Sequence, residues 1–362
     1  MKAHYSVSRF VWPILFLFFL LYSFSSCSRK SEIGRRVLYE SFPQTISLTA
    51  EQILLDEENV LLCYPYRVRV NEKRTHAVVL DLHPDSCFFH LFTYPDFRFL
   101  CSFGKHGEGA DEYLSGDDVH WCDSLLWTVD SNRKLWKAYV VKGHEVKLVR
   151  TVDLSVTLRP LDFAFICDTL AYIPDYTGEC RMLRVDTCGK IRGKLGCIPI
   201  VEHVSAPASS QAQAWRSFPS YNSRNGVLAV ATQLGEVLEI YHSGDTMPAA
   251  VLQGPNGEPR FKVSGGHGIP VGIMGFNDVQ VTDSCIYAVF QGTPFEEIGR
   301  VINKGGKPVD GGRFIYVFSL LGKPLRCYEL DYPVSGIYVD EKRRSIVALN
   351  VNDSFQMMTF DF

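Results

Sequence analysis

Short runs of alternating apolar and polar residues fill the chain from about residue 36 onward. Three of them share one pattern: "CDSLLWTVD" (122–130), "CDTLAYIPD" (167–175) and "TDSCIYAVF" (282–290). Each has an Asp, then Ser or Thr, then apolar residues with an aromatic four positions after the Asp. Period-two alternation predicts strands, and Trp127, Tyr172 and Tyr287 are residue types that favour them. Asp123, Asp168 and Asp283 fit the preceding turn, where a short carboxylate can bond the backbone two residues on. Looser copies stand at "HAVVLDL" (76–82), "NGVLAVAT" (225–232) and "RSIVALNV" (344–351). The six units recur about every 45–60 residues, near the roughly 40–50-residue period of propeller blades.

A second hairpin follows the units, as in "LWKAYVVKGHEVKLVRTV" (135–152) and "FIYVFSLLGKPLRCYEL" (314–330). Gly143, Gly189, Gly244 and Gly322 supply the turns. No amphipathic helix of ten residues is evident in the mature chain. Four strands, six times over, predict an all-β fold: a six-bladed β-propeller of four-stranded blades. An N-terminal strand is expected to close the last blade and remove its bare edge. The segment expected to do so is 37–48.

"CSFGKHGEGADEYL" (101–114) carries three closely spaced glycines. A phosphate loop needs Gly-Lys-Ser/Thr opening a helix, and a dinucleotide fingerprint needs a βαβ unit. Here acids and a strand-like tail follow, so the glycines are read as a corner between blades. Gly104, Gly107, Gly109, Glu112 and Tyr113 match the Gly-x-x-Gly-x-Gly-Pro-x-Glu-Phe/Tyr blade connection. The stretch thereby resembles the TolB-like and NHL-like six-bladed propellers abundant among Bacteroidetes lipoproteins.

The first residues read as a targeting segment. Lys2 and Arg9 precede the 13-residue apolar run 10–22, too short for the roughly 20 residues of a membrane span and suited to a secretory signal. "SFSSCSRK" then resembles a lipobox ending at Cys27. This divides the chain into a signal peptide (1–26), a lipidated linker (27–36) and the propeller (37–362). Lipidation at Cys27 would make the membrane a partner. The lack of Asp after Cys27 points to the outer membrane of the cell envelope. Lys and Arg number 37 against 40 Asp and Glu, net −3, which gives no basic face for nucleic acid. No cysteine pair has C-x-x-C spacing. Cys180 and Cys188, flanking a hairpin arm, are the best-placed candidates for a disulfide.

Ligands of propellers are expected where inner strands begin, around a central channel. Asp118 and Asp278 occupy equivalent positions there, and Asp162 lies nearby in register. Three carboxylates could bind a divalent cation such as calcium; no other cofactor is expected. His267, flanked by glycines in "SGGHGIP", is a further candidate ligand. The segment 205–226 departs from the blade pattern and carries Trp215, Arg216, Phe218 and Tyr221, expected to recognise a partner. A second departure, 292–313, reads as a long hairpin or flap. No Gly-x-Ser-x-Gly elbow occurs. Two function classes follow. The first is a lipid-anchored binding or scaffold module for a protein or glycan partner. The alternative, implied by resemblance to NHL-like lyases and gluconolactonase-like propellers, is a metal-dependent hydrolase or lyase built on Asp118, Asp278 and His267.

Overall fold

The computed structural model describes residues 34–362 apart from 57, 155–159, 200–205 and 353–354. The signal peptide and Cys27 lie outside the described residues. Three short N-terminal strands come first: β1 (Arg35–Leu38), β2 (Thr45–Leu48) and β3 (Glu51–Gln52). Blade one follows as β4 (Pro65–Val70), β5 (His76–Asp81), β6 (Cys87–Thr93) and β7 (Phe99–Lys105). Blade two is β8 (Asp118–Cys122), β9 (Leu125–Asp130), β10 (Leu135–Lys142) and β11 (Glu145–Asp153). Blade three is β12 (Ala164–Cys167), β13 (Leu170–Pro174), β14 (Met182–Asp186) and β15 (Ile191–Leu195). Blade four is β16 (Ser217–Asn222), β17 (Val227–Thr232), β18 (Val237–His242) and β19 (Ala250–Gln253). A small hairpin, β20 (Phe261–Ser264) with β21 (His267–Pro270), precedes blade five. That blade is β22 (Phe276–Val281), β23 (Cys285–Phe290), β24 (Gly312–Ser319) and β25 (Pro324–Val334). Blade six is β26 (Gly336–Asp340), β27 (Ser345–Leu349) and β28 (Met357–Asp361), completed by β3.

The inner strands β4, β8, β12, β16, β22 and β26 touch in sequence, and β26 returns to β4, so the ring is closed. The repeat aromatics Trp127, Tyr172 and Tyr287 are all buried. Second strands such as β17 and β23 are buried at every position, because neighbouring blades cover both of their faces. The alternation expected from the sequence therefore gives way here: "VLAVAT" and "CIYAVF" are apolar at nearly every position.

The latch differs from the expectation in register. β3 pairs antiparallel with β28, with Gln52 opposite Met358 and Glu51 opposite Thr359. Residues 37–48 instead add outer parallel strands to earlier blades. β1 lies on β19 and β2 on β25. Their apolar residues explain the choice: Tyr39 packs into the core between blades four and five, and Leu48 into that between blades five and six.

The corner at 101–114 is as expected. Gly104 has a positive φ of 70°, and a Cβ there would strike the Phe89 ring at 2.5 Å. Glu112 accepts the Gly109 N–H at 2.8 Å. Tyr113 is fully buried between blades one and two, its hydroxyl 2.7 Å from that of Tyr139. Lys137 lies over the Tyr113 ring and donates to the Glu112 carbonyl.

The described part of segment 205–226 is not a long loop, and its Trp215 and Phe218 are buried. It holds the helix α1 (Ala208–Ala214) and the strand β16. Segment 292–313 holds the helix α2 (Phe295–Asn303) rather than a hairpin. All ten described cysteines are free thiols. The expected Cys180–Cys188 bridge is therefore not made: Cys180 is buried and its thiol donates to the Met182 carbonyl at 3.3 Å, while Cys188 sits in an exposed turn. None of the described helices is long and apolar enough to cross a membrane.

Candidate functional site

Inner strands are the edges of their sheets, so the N–H and C=O groups facing the channel lack a ladder partner. Polar side chains of neighbouring blades supply the bonds. Asp118 accepts the Phe163 N–H of the next blade at 3.2 Å, and Asp278 accepts the Ile337 N–H of the next blade at 3.0 Å. The two aspartates are equivalent, as their sequence positions indicated. One layer further on, Gln280 clamps Val339 by accepting its N–H at 2.7 Å and donating to its carbonyl at 3.2 Å. The Ser220 hydroxyl accepts the Val281 N–H at 3.0 Å.

Arginines neutralise this layer. Arg69 donates to both oxygens of Asp278, at 3.1 and 3.2 Å, and Arg67 approaches it at 3.6 Å. Burial opposes charge on Asp278, but Arg67, Arg69 and the Ile337 N–H outweigh it and hold the carboxyl below its usual range. Asp118 behaves alike. Burial opposes its charge, and His120 at 3.1 Å, with Arg69 and Arg67, keeps it ionised. Asp162 differs. Burial raises its pKa to about 7, opposed by Arg216, whose guanidinium stands 3.7 Å away. Its Oδ2 has no hydrogen-bond partner.

The start of the channel is thus packed with paired charges. Asp118, Asp162 and Asp278 are each at most 3% exposed. Their negative charge is spent on guanidinium, imidazole and backbone N–H groups rather than converging on one point. Among the described residues, no three His, Cys, Asp or Glu side chains come together as metal ligands. His267 lies on the β20–β21 hairpin, exposed and packed beside α1, and no described contact joins it to the channel aspartates.

The open cavity is at the other end, where the inner strands finish. It measures about 420 Å³ and every blade contributes to it. Trp121, Phe165, Tyr221 and Tyr338 are among its lining residues. A smaller space of about 180 Å³ continues inward to Arg69, His120, Ser220 and Gln280. The Trp121 indole N–H donates to the Arg69 carbonyl at 3.2 Å, which fixes its ring. Outside the strands, Glu72, Asp123, Asp168, Ser223, Asp283 and Glu341 line the mouth.

The expected partner residues separate here. Trp215 and Phe218 are each 2% exposed and belong to the core. Trp215 packs under Phe261 of the small hairpin, and its ring faces Arg181. Arg216 is turned toward Asp162. Only Tyr221 reaches the mouth. The strand β16 explains the correction, since its alternation sends Phe218 between blades. The sequence places Asp123, Asp168 and Asp283 in turns and marks neither Glu72 nor Glu341, yet all five line the mouth. The signal was present in the repeat: residues at one position of a blade meet around one axis.

Two measurements check this arrangement. Asp278→Ala leaves the buried Arg67 and the partly buried Arg69 without their carboxylate, and should cost about 3–5 kcal/mol in denaturant unfolding. Asp283→Ala, in an exposed pair with Arg224, should cost under about 1 kcal/mol. The pH dependence of Asp162 follows from its raised folded pKa. Between its unfolded value, roughly 3.9, and about 7, the folded protein binds the proton more tightly than the unfolded chain. Stability from this group is present at acid pH and lost as pH rises through about 7. Melting temperatures from pH 5 to 8 should therefore fall less for Asp162→Asn than for the wild type.

Solved structures share the architecture. A Bacteroides vulgatus member of the DUF4221 family superposes with a TM-score of 0.56 at 10% identity, covering 87% of this chain and 96% of that one. A Bacteroides fragilis protein provisionally described as exported gives a TM-score of 0.52 at 9% identity, covering 91% and 98%. At such identities the likeness is one of fold. No curated protein matches the sequence. The sequence profile described as TolB-like 6-blade propeller-like matches residues 41–342, a span from just before β2 to just past β26. With the repeat, the closed ring and the glycine corner, that match establishes that the chain belongs to the TolB-like six-bladed propeller family.

Proposed function

We propose that this protein is an exported, lipid-anchored binding module that holds a protein or glycan partner at the mouth of its channel. The observation that carries this reading is the contrast between the two ends. One end is filled by arginine–carboxylate pairs. The other is an open cavity walled by all six blades, with aromatic side chains and mixed polar groups. Aromatic walls with a few placed polar groups are what ligand sites commonly offer. The hydrolase or lyase alternative needs Asp118, Asp278 and His267 around one ion. Asp118 and Asp278 are committed to arginine, histidine and backbone partners, and His267 stands on the outlying hairpin, so the geometry does not favour it. Membership of a propeller family does not choose between these functions, because a fold hosts many.

Export and anchoring rest on the sequence: a basic start, the apolar run 10–22 and Cys27. Likeness to a provisionally exported Bacteroides protein is consistent with export.

Binding of envelope fractions and of arrayed glycans is the direct test. Tyr221→Ala combined with Tyr338→Ala should lower retention of the bound species at least about tenfold, while Trp215→Phe, in the core, should leave it unchanged. Retention that survives the tyrosine pair would move the site elsewhere. For the anchor, Cys27→Ser should shift the protein from the membrane fraction to the soluble fraction and abolish labelling by a fatty-acid probe. A variant that stays membrane-bound would refute lipidation at Cys27.

A further inference from the structure

The mouth has a sign as well as a shape. One position past each inner strand, the six blades carry Glu72, Asp123, Asp168, Ser223, Asp283 and Glu341, or one residue further in register. Five of these six are carboxylates, and all six line the cavity. The cations lining it are Arg74, Arg224 and Lys342. Two are already neutralised: Arg74 pairs with buried Asp340 at 2.9 Å, and Arg224 with Asp283 at 2.6 Å. Glu341 accepts bonds from the Thr282 and Tyr287 hydroxyls.

Glu72, Asp123 and Asp168 are left, on three consecutive blades. Among the described residues they make no ion pair and no side-chain hydrogen bond. A turn aspartate commonly bonds nearby backbone; Asp123 and Asp168 do not. The three line the same cavity on adjacent blades, and the Cys122 thiol beside them is pushed up to about 12, by burial first and then by neighbours that include Asp123, Asp168 and Glu72.

A second feature is independent of the charges. Trp121 and Tyr221 stand in the same cavity with their rings fixed, Trp121 by its bond to the Arg69 carbonyl and Tyr221 by edge contact with Tyr172 at 5.7 Å. An aromatic face beside free carboxylates suits an ammonium group, through both the ring quadrupole and the opposite charge. Deeper in the channel, Arg69 and His120 disfavour a second positive group. The ligand's charge therefore belongs at the rim and its uncharged part inside.

We propose that the group this mouth takes from its partner is a protonated amine, held between Glu72, Asp123 and Asp168 with the apolar carbons that carry it against Trp121 and Tyr221. This rests on the mouth being the ligand site and adds the charge class. The carboxylates are exposed, so the attraction is screened by salt.

Three probes of one shape read the charge: benzylamine, benzyl alcohol and benzoate, titrated into the full propeller at pH 7 and low salt. Calorimetry gives affinity, and fluorescence against a Trp121→Phe control reports the location. Benzylamine should bind at least about tenfold tighter than benzyl alcohol, a difference of about 1.4 kcal/mol, and benzoate more weakly than either. Asp123→Asn and Asp168→Asn should each remove most of that preference, as should 0.5 M salt. Asn tolerates the positive φ of 51° at Asp123, so the fold is kept, and Asp96→Asn, an exposed acid outside the cavity, should change nothing. Equal binding of benzylamine and benzyl alcohol, unmoved by the asparagine variants, would overturn the charge class and leave the mouth as the site. If no probe perturbs Trp121, the mouth reading falls together with it.

Discussion

The innermost strand of each blade presents a bare edge to the channel, and the remainder of the structure depends on how those edges are satisfied. Adjacent inner strands approach each other without forming a continuous ladder. Their backbone groups are too deep for bulk water, and leaving them unpaired would cost about 1–3 kcal/mol each. Asp118, Ser220, Asp278, Gln280 and Ser335 solve this by reaching across to the next blade. These bonds tie blade two to three, four to five, five to six and six to one.

Acidic lacing groups bring a second requirement. A buried carboxylate is tolerated when it is paired and hydrogen-bonded. Arg67 and Arg69 meet that need from blade one, and Arg216 approaches Asp162 from the start of blade four. The guanidiniums in turn fill the channel where the inner strands begin. A cavity that all six blades line is left where the strands end, beyond the layer of Arg69 and His120. The cavity at the mouth is therefore a consequence of closure: the same polar residues that hold the ring together plug one end and floor the other.

The outer edges are handled differently. β1 and β2 run parallel along the outer strands of blades four and five before β3 completes blade six. The N-terminal segment thus crosses three blades. Hydrophobic contacts of Tyr39, Ile46 and Leu48 hold this strap to the ring, so closure rests on more than the two residue pairs of β3.

Local sequence determined much of this protein by itself. Asp-Ser/Thr turns, buried aromatic strands and glycine hairpins recur because each blade solves the same packing problem, so the six-bladed ring was legible from their spacing. The corner through Gly104, Glu112 and Tyr113 was legible because its glycines and its buried tyrosine answer local demands. Tertiary structure alone decided the rest. Which outer strands the N-terminal segment would join depended on distant apolar surfaces. Trp215 could be placed in the core only once the small hairpin and β18 packed against it, and Phe218 only once β16 had neighbouring blades. Asp118 and Asp278 looked free in sequence because their partners, Arg69, Phe163 and Ile337, lie on other blades or beyond the local unit. The mouth, finally, joins residues more than 250 positions apart, such as Glu72 and Glu341, and only closure of the ring brings them around one axis.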